Sequence, residues 1–155
     1  MDLPERKPIR LPDPLYRVRG WPFSITIGTS PRASVFRDID FGNECIKILQ
    51  EMRDETGTAV YAYCLMPDHV HLLLGVGPGA SLPSFVGRWK SLCAKARRQR
   101  TGEGQFWQRS FYDHAIRDDQ DILETAKYIL QNPVEAGLVK DFREYPLCGS
   151  MEFAL

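Results

Sequence analysis

His69 and His71 stand two residues apart at the head of an apolar run, Met66-Pro67-Asp68-His69-Val70-His71-Leu72-Leu73-Leu74. Along a β-strand, residues i and i+2 point to the same face. The two histidines therefore present their imidazoles side by side, as a metal-binding pair does. Further on, Tyr128 and Asn132 lie four residues apart, one helical turn, in Tyr128-Ile129-Leu130-Gln131-Asn132-Pro133. Together these types suit phosphodiester transfer. That reaction needs a nucleophile for phosphorus, a cation for the phosphate oxygens and room for the leaving oxygen. A tyrosine hydroxyl can be the nucleophile. Two imidazoles and an amide oxygen can hold Mg²⁺ or Mn²⁺ and leave positions for phosphate and water. Taken singly, each has a plainer reading: a surface tyrosine, and an asparagine that ends a helix before proline.

The elements that must position these groups alternate between two periods. Residues 1–20 carry Pro4, Pro8, Pro12 and Pro14 and read as an extended arm, followed by one domain over 21–155. Phe23–Ile27 alternates as a strand. Asp40–Glu55 repeats as a helix and stops at Gly57. Thr58–Leu65 and His69–Val76 are strands around a Met66-Pro67-Asp68 turn. Ser81 can cap a helix to about Arg100, with Leu82, Phe85, Trp89, Leu92 and Ala96 buried. Ser110–Arg117 reads as a fourth strand. Asp118 or Asp119 caps a last helix that should stop near Pro133, and the tail beyond it reads as loop and short helix. Its stripe is Ile122, Leu123, Ala126, Ile129 and Leu130, which leaves Tyr128 on the opposite side with Glu124 and Asn132. The order βαββαβ plus a helix predicts an α+β, ferredoxin-like split βαβ fold. Its four-stranded antiparallel sheet would have helices on one face and a C-terminal helix bearing the tyrosine.

Composition narrows the classes. The chain has 155 residues, 43% apolar and 26% charged, which fits a soluble globular domain. No apolar run approaches the roughly 20 residues of a membrane span, and the N-terminus has no signal core, so a cytoplasmic protein is expected. Cys45, Cys64, Cys93 and Cys148 form no CxxC pair and read as reduced thiols. Net charge is zero, which argues against a strong generic nucleic-acid binder. The distribution differs: Arg88, Lys90, Lys95, Arg97, Arg98 and Arg100 occupy one segment without an acid. That run suggests an anionic partner, with the cations free to meet phosphates once the other helix face is buried. Phe106, Trp107, Phe111 and Tyr112 could stack bases, though at least two should pack in the core. His114 reads as a satisfied structural histidine. Asp68 reads either as a partner for a histidine or as a turn residue.

MPDHVHLLL, then WQRSFYDHAIRDD, then YILQNPVEAGLV, in this order and spacing, resemble the REP-associated tyrosine transposases. These belong to the HUH single-tyrosine transposases of small insertion sequences. The resemblance spans roughly Phe23 to Ser150, and Cys148 departs from it where relatives often carry serine. It implies a metal-dependent single-stranded DNA endonuclease and strand transferase on a ferredoxin-like fold. His69 and His71 would be the histidine pair, Tyr128 the catalytic tyrosine, and Asn132 the polar residue completing a Mg²⁺ or Mn²⁺ site. The tyrosine would form a 5′-phosphotyrosine and release a 3′-hydroxyl. The implied partner is single-stranded or hairpin DNA, and a homodimer stays open. The competing readings are a non-catalytic module that grips structured nucleic acid, and a phosphoesterase that uses water.

Overall fold

The computed structural model describes residues 21–30, 33–78 and 80–154, so the N-terminal arm expected over 1–20 lies outside it. The described elements run β1 (Pro22–Gly28), a 3-10 turn (Val35–Arg37), α1 (Ile39–Thr56), β2 (Ala59–Met66), β3 (His69–Gly75), α2 (Leu82–Thr101), β4 (Tyr112–Ala115), α3 (Asp119–Glu135), a second 3-10 turn (Phe142–Glu144) and β5 (Cys148–Gly149). The sheet order is β4-β1-β3-β2-β5, and every pairing is antiparallel. The first four strands give the split βαβ order that the sequence predicts. The two-residue β5 is an addition at the β2 edge.

Local chemistry starts the three helices, and ends the first of them, close to where the sequence places them. Asp38 accepts from the Phe41 N–H at the head of α1, and Gly57 ends it in the left-handed region at φ 71°. Ser81 and Ser84 close a reciprocal capping box on α2. Asp118, rather than Asp119, caps α3 by accepting from the Asp121 N–H.

The two faces of the sheet are covered differently. Ile25, Ile27, Val70, Leu72 and Leu74 are fully buried and belong to one core with Cys45 and Leu49 of α1 and Phe85, Val86, Trp89 and Cys93 of α2. Trp89 ties the layers by donating its indole N–H to the Cys45 carbonyl at 3.0 Å. The opposite face carries Ser24, Thr26, His69 and His71. There α3 packs on β2 and β3 with Ile122, Ala126, Ile129 and Leu130. This alternation fixes the register. A one-residue slip of β3 would expose Val70 and Leu72, each worth about 2 kcal/mol of burial, and push two imidazoles into the core.

Three expectations need correction. The α3 stripe omits Leu123, which is 37% exposed. The fourth strand is only Tyr112–Ala115, about half the expected length, because it lies at the sheet edge with one neighbour. Finally, α3 does not stop at Pro133 but runs through it to Glu135. A proline there removes the N–H that would bond the Ile129 carbonyl. Asn132 compensates: its side-chain amide donates to the Tyr128 carbonyl at 3.2 Å and to the Ile129 carbonyl at 3.3 Å.

Candidate functional site

The imidazoles of His69 and His71 meet edge to face, with ring centroids 4.9 Å apart. Each is held by its Nδ1. The His69 Nδ1 lies 2.8 Å from Asp68 Oδ1, and the His71 Nδ1 lies 3.2 Å from Thr26 Oγ1. Both Nε2 atoms are thereby left for another partner. Asp68 is thus a histidine partner as well as a turn residue. Thr26, which sequence reasoning passed over, sits directly opposite His71 in the β1–β3 register. Its only sequence signal was the polar phase of β1. Burial, and secondarily the neighbouring His69, lowers the His71 pKa to about 4. His71 is therefore a neutral imidazole at neutral pH, the form that binds metals.

Tyr128 is 70% exposed, as its place off the apolar stripe predicts. At about 100° per residue, Asp121, Thr125, Tyr128 and Asn132 fall within roughly 60° of one another on α3. Two contacts orient this flank. Near the N-terminal end, Asp121 and Thr125 line a cavity of about 320 Å³ with Ser24 and His114, on the histidine side of β1 and β4. Beyond the C-terminal end, Leu138 and Val139 share a cavity with Pro67, in the turn before His69. So α3 runs from the Ser24 end of the sheet towards the His69 end. Thr125 to Asn132 is a rise of about 10 Å, and Ser24 to Gly28 advances about 13 Å. Gly28 pairs with His69. Tyr128 and Asn132 therefore lie on the α3 flank whose earlier turn, Asp121 and Thr125, lines the histidine side of β1 and β4. No hydrogen bond joins either of them to an imidazole among the described residues.

The Asn132 amide is pinned to the helix by its nitrogen, and its Oδ1 accepts no hydrogen bond among the described residues. The residue thus has a structural duty besides any ligand role. Asn132→Ala is expected to lower the unfolding free energy by about 1 kcal/mol, because the Ile129 carbonyl loses its donor beside Pro133. Urea unfolding of the purified variant measures this, and an unchanged midpoint would show that the bond does not matter in solution.

The donor set fits a divalent cation: two imidazole nitrogens oriented through their Nδ1 atoms, with an amide oxygen on the facing helix. Among the described residues no group of three or more His, Cys, Asp or Glu could hold a metal, so an ion on the histidine pair would take its remaining ligands from other groups.

The basic segment differs from expectation. Arg88, Arg97 and Arg100 are not free, because α1 and its cap supply acids that the α2 sequence lacks. Arg88 pairs with Glu55 at 3.0 Å, Arg100 with Glu44 at 2.7 Å, and Arg97 with Asp38 at 3.9 Å. Arg97 also lies over the Phe41 ring, 5.2 Å from its centroid. Lys90 donates to the carbonyls of Gln108 at 2.8 Å and Ser110 at 3.3 Å. Of the six cations, only Lys95 and Arg98 have neither an ion pair nor a side-chain hydrogen bond among the described residues. His114 is exposed on the edge strand rather than a buried structural histidine. Phe106 is buried, Trp107 and Phe111 pack against the core, and Tyr112 is 81% exposed.

Residues 21–132 match the family described as "Transposase IS200 like". A REP-associated tyrosine transposase of Escherichia coli strain K12 is 27% identical over 131 residues, covering 84% of this chain and 77% of the relative. A provisionally named REP-associated tyrosine transposase of Haemophilus influenzae is 30% identical over 118 residues, covering 69% of this chain and 67% of the relative. The fold is similar to a solved REP-associated tyrosine transposase bound to a REP hairpin, with a TM-score of 0.69 at 21% identity over 90% of this chain and 88% of that one.

Proposed function

Since the chain belongs to the IS200-like transposase family, we propose that it cleaves and rejoins single-stranded or hairpin DNA through Tyr128. The observation that carries this reading is an oriented histidine pair on β3, on the sheet face that α3 covers, together with an exposed tyrosine on α3. In the cleavage step the Tyr128 oxygen attacks phosphorus. A tyrosine–phosphorus ester forms, the bond from phosphorus to the 3′-oxygen breaks, and the phenolic proton is lost as the 3′-hydroxyl gains one. One phosphodiester replaces another, so the reverse attack by a 3′-hydroxyl rejoins DNA without a nucleotide cofactor.

His69, His71 and Asn132 would hold Mg²⁺ or Mn²⁺. When bound, that ion supplies positive charge to the phosphate oxygens as negative charge builds on them. Asp68 and Thr26 keep the two rings turned so that Nε2 faces outwards. Lys95, Arg98 and Lys90 are the members of the basic segment that remain available for DNA phosphates, whereas Arg88, Arg97 and Arg100 serve the α1–α2 seam. Among the described residues no helix is long and apolar enough to cross a membrane.

The direct test is incubation with hairpin DNA from the gene's own flanks and Mn²⁺, followed by a denaturing gel. A protein–DNA species that survives denaturation and carries the 3′ fragment, joined through its 5′-phosphate, supports the reading. Tight binding without such a species would favour a non-catalytic nucleic-acid module. Thr26→Val keeps the shape of a half-buried strand residue but removes the oxygen beside His71 Nδ1. It is expected to weaken Mn²⁺ binding by about 10-fold to 100-fold. Titration calorimetry with MnCl₂ measures that loss, and wild-type affinity would show that Thr26 does not orient the ring.

A further inference from the structure

The cations of α2 divide between two flanks. Arg88, Arg97 and Arg100 meet the acids of α1 and its cap. Gly87, Ser91, Ala94 and Arg98 follow the i, i+4, i+7, i+11 spacing of a different flank. That flank and the segment 105–109 enclose a groove of about 520 Å³. Its cations are Lys90, Arg98 and Arg109, its other polar side chains are Ser91, Gln105 and Gln108, and no carboxylate lines it.

The groove is built rather than loose. Trp107 forms one wall, with its indole N–H donating to the Lys90 carbonyl at 3.0 Å and its ring 5.5 Å from that of Trp89. Lys90 crosses the groove to bind the Gln108 and Ser110 carbonyls, which holds its ammonium in place with a third N–H to spare. Gly87 leaves open space above the helix, so a bulky chain can approach closely. A neutral groove of this size would suit many ligands. Lys90 and Arg98, about 12 Å apart along the helix axis, with Arg109 across the groove, suit a polymer with repeated negative charge.

The groove also leads to the site. Gln108 donates its backbone N–H to the Gly28 carbonyl at 2.9 Å, and its side-chain amide lies against the face of Gly28 that a Cβ would occupy. Gly28 is the register partner of His69. One end of the groove thus abuts the strand position beside the histidine pair.

We infer that the groove between α2 and residues 105–109 holds the phosphodiester backbone of the DNA strand on its way to the His69–His71 site, with Lys90, Arg98 and Arg109 meeting its phosphates. This rests on the proposed action on DNA and adds the path by which the strand arrives. It also moves the binding surface away from Arg88, Arg97 and Arg100.

Two double variants with equal charge change separate place from total charge: Arg98→Gln/Arg109→Gln in the groove, and Arg88→Gln/Arg100→Gln on the seam. Each is titrated with a fluorescent single-stranded oligodeoxynucleotide of random sequence at several salt concentrations. Each phosphate neutralised on a single strand contributes about 0.7 to the slope of log K against log salt. The groove variant should lose about 1.4 of that slope and bind at least about 10-fold more weakly at low salt, while the seam variant keeps the wild-type slope. Arg109→Gln alone, outside the helices, should lose about half as much. Equal losses in the two double variants, or none in the groove variant, would overturn the inference. Covalent adduct formation by the wild-type protein is scored separately. Groove-dependent binding without an adduct would remove the transferase reading and leave the groove standing. An adduct with an unaffected groove variant would do the reverse.

Discussion

Tyr128→Phe is expected to remove DNA cleavage and the covalent protein–DNA species together, with the rate falling by at least about 10³-fold. The substitution deletes one oxygen from a side chain that is 70% exposed and makes no hydrogen bond among the described residues. Its effect on stability should stay within about 0.5 kcal/mol. Any large loss of activity then belongs to chemistry and not to folding. A denaturing gel with labelled hairpin DNA reads both products at once, and thermal unfolding reads the control. A Phe variant that cleaves at the wild-type rate would make water the nucleophile. Loss of the adduct with cleavage retained would point the same way.

The second large effect is expected from His69→Ala/His71→Ala. Removing both imidazoles takes away two of the three proposed protein ligands. Mn²⁺ binding should vanish from calorimetry, and cleavage should fall by at least about 10²-fold. Both side chains are only part-buried, on the face opposite the main core, so the sheet should survive. Full wild-type activity in excess EDTA, or unchanged Mn²⁺ binding by the double variant, would sink the metal site. The two variants also differ in kind. The tyrosine change should leave Mn²⁺ affinity intact, whereas the histidine change should remove it, so the pair separates nucleophile from ligand set.

What the sequence makes legible here is whatever has a short period. The His69–His71 pair, the exposed flank bearing Tyr128 and the caps at Ser81 and Asp118 all depend on residues within about one helical turn or two strand positions. Contacts between distant segments are not legible in that way. The segment from Arg88 to Arg100 reads as free cation because its acids, Asp38, Glu44 and Glu55, lie on or beside another helix. Thr26 gives no sign of orienting His71 until β1 and β3 are paired. Strand β5 is too short to show a pattern, and it is held by remote contacts: the Leu65 N–H bonds the Leu147 carbonyl at 2.9 Å, and the Tyr145 hydroxyl bonds the Leu65 carbonyl at 2.7 Å. Pro133 misleads because the usual helix-breaking rule assumes that no neighbour can serve the orphaned carbonyl. Asn132 does so.

The two halves of the proposed site sit on separate elements. His69 and His71 belong to the sheet, whereas Tyr128 and Asn132 ride together on α3, which meets the sheet through packing on β2 and β3. Any swing of that helix displaces Tyr128 and Asn132 as a pair, and leaves the imidazoles behind. An ion bridging Asn132 and the histidines would act as a clasp on this motion. At a concentration about 100 times its dissociation constant it would stabilise the closed arrangement by about 2.7 kcal/mol. Amide hydrogen exchange along α3 would then slow by up to about 100-fold on adding Mn²⁺, provided the helix opens as a unit. The same clasp would make loading with metal and alignment of the nucleophile a single thermodynamic event.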